Sequence, residues 1–154
     1  RSSGGFYIYT NSGLTSGMYL SSGGSSWNGL SDRNQKENLQ PVDTQALLEK
    51  LAAIPISTWN YKAQDENIRH IGPMAQDFNA LLPDLGGEGE TYINSLDADG
   101  VALAAIQALY RQNQEQSTRI DQLEQENTEL RLQLSDLAAR LAALEAASVS
   151  GGER

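Results

Sequence analysis

Residues 119–145 read RIDQLEQENTELRLQLSDLAARLAALE, and apolar side chains recur in them at alternating spacings of three and four. In the heptad notation abcdefg, the a positions are Ile120, Asn127, Leu134 and Leu141, and the d positions are Leu123, Leu130, Leu137 and Leu144. This pattern places one narrow apolar stripe along a helix, which is typical of a coiled coil. We call these positions the seam, and we expect them to bind further copies of the chain.

Charged residues beside the seam indicate how the copies are oriented. In a parallel bundle each g position faces the next e position of a neighbour, which pairs Arg119 with Glu124, Glu126 with Arg131, and Arg140 with Glu145. An antiparallel bundle would lose this matching of opposite charges. Each exposed pair contributes only about 0.3–0.5 kcal/mol, so the charges select the parallel orientation while the leucines supply the stability.

Two features bear on the number of copies. Residues 119–124 and 140–145 both follow the order Arg, apolar, two variable positions, apolar, Glu, which resembles a motif of short three-stranded coiled coils. We therefore predict three chains, with Asn127 fixing the register at some cost in stability and Asn113 on the same frame two heptads earlier. The alternative is a single amphipathic helix packed on its own domain, which so narrow and long a stripe disfavours.

The composition excludes several functional classes. The chain has 154 residues, a net charge of −9, no cysteine and one histidine, so it can hold one modest domain besides the helix. Because it lacks a basic cluster, thiols and a second imidazole, we predict no nucleic-acid partner, no metal and no cofactor. No apolar run approaches the roughly 20 residues that cross a bilayer, so we predict no membrane partner. The chain begins within a Ser/Gly pattern, and we expect it to be the end of a longer polypeptide.

The first 30 residues are rich in Gly and Ser. Short alternating stretches at residues 6–9 and 17–20, bounded by turn residues, predict strands. So few apolar residues cannot close a core in one chain, so we interpret residues 1–30 as the end of a β-rich, multi-chain segment, which we call the passenger. A disordered linker is the alternative.

The composition changes at Ser31 to charged residues. Asp43 is placed to cap a helix that ends before Pro55 and carries apolar residues on one face: Leu47, Leu48, Leu51 and Ile54. Residues 56–62 and 68–71 predict paired strands. Gly72-Pro73 then opens a second helix that reaches Pro83.

Beyond this helix, Gly86, Gly87 and Gly89 predict a flexible loop and residues 91–94 a short strand. No Lys-Ser/Thr follows the glycines, so a phosphate site is not expected. Asp97 or Asp99 is expected to cap the long helix, whose first apolar residues should pack on the domain: Val101, Leu103 and Ile106. We also assign four other side chains to the core: Trp59, Tyr61, Met74 and Phe78.

Ser31 and Lys36 are the one pair in which a nucleophile is followed closely by a possible base. A serine hydroxyl attacks well only when a neighbour takes its proton, and a lysine amine does so only in its neutral form. Five residues apart in a loop, the two side chains can meet. Spacing alone is weak evidence, because a capped turn with a solvated lysine has the same pattern.

The local sequence is more specific. Residues 31–38 read SDRNQKEN, which resembles the Ser-Asp-Arg-x-x-Lys-Glu-Asn opening of the intramolecular chaperone and self-cleaving endopeptidase domain at the C-terminus of phage tailspikes, tail fibres and endosialidases. A eukaryotic myelin-gene regulatory factor carries a similar domain. The resemblance extends to about residue 110 through further motifs: IPI at 54–56, WNYK at 59–62, HIGPMAQDF at 70–78 and LDADGVALAAIQ at 96–107.

The resemblance implies a domain that trimerises, templates folding of the passenger and then releases itself. It assigns Ser31 as nucleophile and Lys36 as general base, with cleavage at Ser31. We favour the bond between Leu30 and Ser31, because the Ser31 hydroxyl reaches the Leu30 carbonyl through a five-membered ring, whereas its own carbonyl requires a four-membered one. Cleavage after Ser31 stays open.

Three further side chains are candidates for supporting roles. His70 could orient Ser31 or stabilise developing charge, although a hydrogen-bonded structural histidine is the commoner case. Asp32 and Glu37 are expected to hold Lys36 or to cap a turn. No spacing of carboxylates supports a glycosidase.

Together these observations predict an α+β protein: a small mixed domain whose long C-terminal helix forms a parallel three-stranded coiled coil. The expected divisions are passenger end 1–30, chaperone domain 31–110, coiled coil 111–148 and disordered tail 149–154. The expected partners are two further copies and the passenger of the same polypeptide. The resemblance also implies action in the host cytoplasm during virion assembly, with the passenger in the virion tail and the released domain absent from the mature particle. The alternatives are a non-cleaving trimerisation module and a host-binding fibre tip.

Overall fold

The computed structural model describes residues 3–85 and 91–151, with the side chains of 149–151 outside that description. It is a mixed α+β protein with a long C-terminal helix, as the sequence predicts. The chain divides into two compact units, Arg1–Ala105 and Ile106–Arg154. The predicted glycine loop at 86–89 and the last three residues of the chain lie outside the described residues.

The first sheet is an antiparallel meander of β1 (Phe6–Tyr9), β2 (Gly17–Leu20) and β3 (Trp27–Gly29). The two predicted strands are confirmed and the third was missed. Phe6 pairs with Leu20, and Met18 with Gly29. Gly17 has φ +150°, and a Cβ there would overlap the carbonyl oxygen of Ile8 across the sheet. Close approach of the two strands therefore requires glycine at the start of β2.

Large apolar side chains stand exposed on both faces of this sheet. Phe6 and Trp27 meet edge to face at 6.1 Å, and Tyr7 stacks on Tyr19 at 5.1 Å on the opposite face. About half the surface of Phe6 and of Tyr7 remains exposed, at 54% and 56%. The sheet has aromatic contacts within each face but, among the residues that the structure describes, no buried core of its own.

Helix α1 (Thr44–Ala52) begins as predicted. The Asp43 carboxylate accepts hydrogen bonds from the backbone amides of Gln45 at 3.1 Å and Ala46 at 3.0 Å, which satisfies two of the four amides that a helix leaves unpaired at its start. The helix ends three residues before Pro55.

A small core lies between α1, a second helix at residues 75–81 and the first turns of the last helix. Its buried members are Ile54, Phe78, Leu82 and Val101. Partly buried residues surround them: Leu47, Leu51, Leu81, Leu85, Ile93 and Ala98. Helix α2 (Ala75–Leu81) places Phe78 in this core. Its N-cap is Met74, so Pro73 lies just before the helix and the prediction that proline occupies the first turn is wrong.

Strands β4 (Ser57–Trp59) and β5 (His70–Gly72) form an antiparallel pair with Trp59 opposite His70. Both are shorter than predicted, because the chain between them turns back at once. Arg69 donates to the Thr58 carbonyl at 2.9 Å and to the Asn60 side chain at 3.2 Å, and so fastens that turn to β4. Within it, hydrogen bonds from the backbone and side-chain amides of Asn67 lower the pKa of Asp65.

The strand predicted at residues 91–94 is absent, and the predicted cap of the long helix is wrong. Helix α3 (Ser95–Gly151) begins earlier than expected, and the side chain of Asn94 accepts from the Leu96 amide at 2.9 Å. Asp97 therefore lies inside the first turn, where its negative charge is favourable near the helix N-terminus.

Two further expectations for α3 need correction. Val101 is buried as predicted, but Leu103 and Ile106, which were expected to be packed, are 64% and 60% exposed. The helix also runs to Gly151, three residues into the predicted tail, because residues 145–150 include no glycine or proline. Within the described part of the chain, no helix is long and apolar enough to cross a membrane.

Candidate functional site

Ser31 and Lys36 are in contact. The Lys36 Nζ donates a hydrogen bond to the Ser31 Oγ at 2.6 Å, and both side chains are exposed in the single chain. With a neutral amine the same contact can form with the serine hydroxyl as the donor, since a neutral nitrogen has a free lone pair. The pair therefore has the geometry that a nucleophile and its base require.

A tight turn between the two residues creates this contact. Residues Arg33–Gln35 form one turn of 3-10 helix, in which the Gln35 amide donates to the Asp32 carbonyl at 3.1 Å and the Lys36 amide to the Arg33 carbonyl at 3.2 Å. The turn reverses the chain so that Lys36 returns beside Ser31. Extended, the five intervening peptide units would separate the two Cα atoms by more than 15 Å, since each residue adds about 3.3 Å.

Asp32 caps this turn. Its Oδ1 accepts from the backbone amide of Asn34 at 3.0 Å and from the Asn34 side chain at 3.0 Å. The backbone of Asp32 is extended, with φ −70° and ψ 129°, as in a helix N-cap. The sequence was compatible with Asp32 either capping a turn or contacting Lys36. In the structure Asp32 caps the turn.

The last residue of the motif at 31–38 has a left-handed backbone conformation. Asn38 has φ +54°, in the left-handed region that asparagine tolerates better than most residues. Glu37, which precedes it, makes no hydrogen bond or ion pair with the other residues that the structure describes. Its predicted role in holding Lys36 therefore has no contact to support it.

Leu30, whose carbonyl forms the peptide bond to Ser31, is hydrogen-bonded to the sheet of β1, β2 and β3. Its amide donates to the Gly17 carbonyl at 3.0 Å, which extends the β2–β3 pairing up to the residue before Ser31. A Cβ at Gly29 would lie 3.5 Å from the Leu96 side chain at the start of α3. The Leu30–Ser31 bond thus lies directly after the sheet of β1, β2 and β3.

His70 makes contacts with residues other than Ser31 and Lys36. Its ring stacks on Trp59 at 4.7 Å and meets Tyr61 edge to face at 5.3 Å, and its Nε2 lies 2.8 Å from the Gln64 side-chain oxygen. Among the described residues, no hydrogen bond joins His70 to Ser31 or Lys36. These contacts are those of a structural histidine.

The aromatic residues around His70 are not the core that the sequence suggested. Phe78 is buried, but Tyr61 and Met74 are 56% and 38% exposed and Trp59 is half-buried. Trp59, Tyr61 and Met74 instead line an open cleft of about 630 Å³. The reason is the small size of the core, which α1, α2 and the start of α3 fill without them.

In the part of the chain that the structure describes, no group of three or more His, Cys, Asp or Glu residues is placed to hold an ion. The chemistry open to Ser31 and Lys36 is acyl transfer from Leu30 to the Ser31 hydroxyl, because that hydroxyl and the Leu30 carbonyl carbon close a five-membered ring.

The segment that contains Ser31 and Lys36 matches a known family model. Residues 31–87 match the model of the Peptidase_S74 family, which is described as the chaperone of endosialidase. The match begins at Ser31 and includes Lys36 and His70, whereas the sheet of β1, β2 and β3 and all of α3 lie outside it. The resemblance noted in the sequence is thus confirmed for residues 31–87, which are similar to the chaperone of endosialidase.

Proposed function

We propose that this chain is a homotrimeric intramolecular chaperone that templates folding of the passenger and then releases itself by a single cleavage at Ser31. The family description supports the chaperone role, and the family name supports a peptidase-related domain. One observation is the main support for cleavage at Ser31. The family match starts at this serine, and its Oγ lies 2.6 Å from the Lys36 amine.

The proposed reaction proceeds in two steps. Lys36 takes the hydroxyl proton of Ser31 as the Oγ attacks the carbonyl carbon of Leu30 and forms a new C–O bond. The C–N bond breaks, the Ser31 nitrogen receives the proton and becomes an amine, and Leu30 is left as an ester on the Oγ. Water hydrolyses the ester to a Leu30 carboxylate and a free hydroxyl, so each chain reacts once. Assembly that shields Ser31 and Lys36 from water would favour the neutral amine that this step needs.

The seam supports the trimer. Its leucines are exposed in the single chain, from 46% for Leu123 to 73% for Leu134, and exposed apolar stripes of this kind are buried by association. Linking three chains brings their passengers to roughly millimolar effective concentration, which accelerates pairing of strands from different chains. Cleavage then removes the template while the assembled passenger persists.

The remaining parts of the proposal rest on the family resemblance alone. They are action in the host cytoplasm during virion assembly, retention of the passenger in the virion tail and loss of the released domain. The proposed partners are two further copies and the passenger itself, with no nucleic acid or membrane.

Intact-mass measurement of the purified wild-type chain tests the reaction. We expect the masses of residues 1–30 and 31–154, which place the cut between Leu30 and Ser31. Masses of residues 1–31 and 32–154 would instead place it after Ser31. An intact chain alone, after the trimer has formed, would favour a trimerisation module that does not cleave.

Replacing Lys36 with arginine should slow cleavage at least about a hundredfold, since general base catalysis contributes roughly 10²–10⁴. Arginine keeps the positive charge and can still donate to the Ser31 Oγ, but its guanidinium stays protonated and cannot take the hydroxyl proton. The measurement is the rate at which the full chain disappears on a denaturing gel during cell-free synthesis. Lys62→Arg, at another exposed lysine of the domain, is the matched control and should cleave normally. Normal cleavage by Lys36→Arg would show that Lys36 acts through charge and not as a base.

A further inference from the structure

We propose that Asp32 is a positioning residue for self-cleavage, which acts by capping the 3-10 turn that holds Lys36 beside Ser31 and not through its charge. This inference rests on the proposed function, because it concerns the geometry of the same reaction. The capping contact itself is independent of that function and is part of the structure.

The turn is too short to persist without its cap. It comprises the three residues Arg33–Gln35, and a single 3-10 turn has few hydrogen bonds to offset the cost of ordering its backbone. Two donors of Asn34, one from the backbone and one from the side chain, converge on the Asp32 Oδ1. Loss of that acceptor leaves only the backbone bonds from Gln35 and Lys36, so the return of Lys36 to Ser31 depends on the Asp32 side chain.

A charge role for Asp32 would work against the chemistry. A carboxylate paired with Lys36 would favour the protonated amine, which cannot accept the serine proton. In residues 3–85 and 91–151, no hydrogen bond or ion pair joins Asp32 to Lys36, and the carboxylate is directed to Asn34. The cap therefore also keeps the Asp32 carboxylate bound to a group other than the proposed base.

The two roles predict opposite rankings of substitutions. Asparagine and serine cap turns about as well as aspartate but carry no charge, whereas glutamate keeps the charge on a longer side chain that is a poor cap. If Asp32 acts as a cap, Asp32→Asn and Asp32→Ser restore cleavage relative to Asp32→Ala, and Asp32→Glu does not. If it acts through charge, Asp32→Glu is active and Asp32→Asn is not.

The experiment measures the cleavage rate of the full 154-residue chain during cell-free synthesis. We expect Asp32→Ala and Asp32→Glu to be about tenfold slower than wild type, and Asp32→Asn and Asp32→Ser to lie within about threefold of it. Active Asp32→Glu with inactive Asp32→Asn would overturn the proposal. Equal rates for Asp32→Ala and wild type would do the same.

Asp43→Ala provides a matched control for general destabilisation. It removes an aspartate cap with two amide contacts at the start of α1, in the same unit but at a helix that does not hold Lys36. We expect Asp43→Ala to cleave within about twofold of wild type, and slowing equal to that of Asp32→Ala would refute a positioning role. Failure of the proposed function has a different result, because the wild-type chain would then remain whole.

Discussion

A chain carrying Ser31→Ala is expected to remain whole under conditions in which the wild-type chain is fully converted to two fragments. The variant lacks the only atom that can form the ester with Leu30, and the methyl group leaves Lys36 with no proton to take. The substitution removes one exposed hydroxyl, so folding and trimer formation should be unchanged. Intact mass after purification measures the outcome.

Two further measurements make this expectation specific. Ser57→Ala removes another exposed serine of the same unit and should leave cleavage complete. Hydroxylamine added during wild-type cleavage should divert the ester, so that the passenger fragment ends in a hydroxamate at Leu30 instead of a carboxylate. Cleavage of Ser31→Ala at the wild-type rate would eliminate Ser31 as the nucleophile. Cleavage of wild type with no hydroxamate would argue for direct attack by water.

Features set by neighbours in sequence could be predicted. Asp43 caps α1 through the amides two and three positions ahead of it, so the signal lies entirely within one short segment. The Ser31–Lys36 contact depends on one turn and was inferred from five-residue spacing together with the family motif. The Asp32 cap had a local signal as well, because an aspartate side chain often accepts from the backbone amide two residues later in a turn.

Features that depend on distant partners could not be predicted in the same way. The sequence predicts a short strand at residues 91–94, but a strand needs a neighbour to pair with, and here Asn94 caps α3 instead. The reverse holds for β3, whose three residues lie in a Gly/Ser-rich stretch and become a strand only through pairing with β2. In both cases the deciding interaction lies outside the segment that carries the pattern.

Burial was the least predictable property, because it depends on how much core a single chain contains. Tyr61 and Met74 are apolar enough to be core residues, yet the helices fill the core without them. Leu103 and Ile106 follow the helical period of a packed face and are nevertheless exposed. Hydrophobicity indicates which residues can be buried, while the contacts available decide which of them are.

The position of a leucine in the heptad determines whether a parallel trimer would bury it. Leu130 occupies a d position, and Leu132 lies two residues later on the outward f position. The two leucines are similarly exposed in the single chain, at 61% and 68%. In a single helix, replacing either of them should therefore have the same effect. In a parallel trimer they differ completely, because three copies of Leu130 meet in one layer while the copies of Leu132 face solvent.

Leu130→Glu is therefore expected to abolish the trimer at micromolar concentration, whereas Leu132→Glu should leave it intact. The first variant removes three buried leucines, each contributing roughly 1.5–3 kcal/mol, and brings three carboxylates into one apolar layer. Sedimentation equilibrium measures the outcome directly as the mass of one chain against the mass of three. A wild-type chain that sediments as a single copy or a pair would contradict the trimer itself. Equal dissociation by both variants would show that the charge and not the seam was responsible, and the templating proposal would then lose its physical basis.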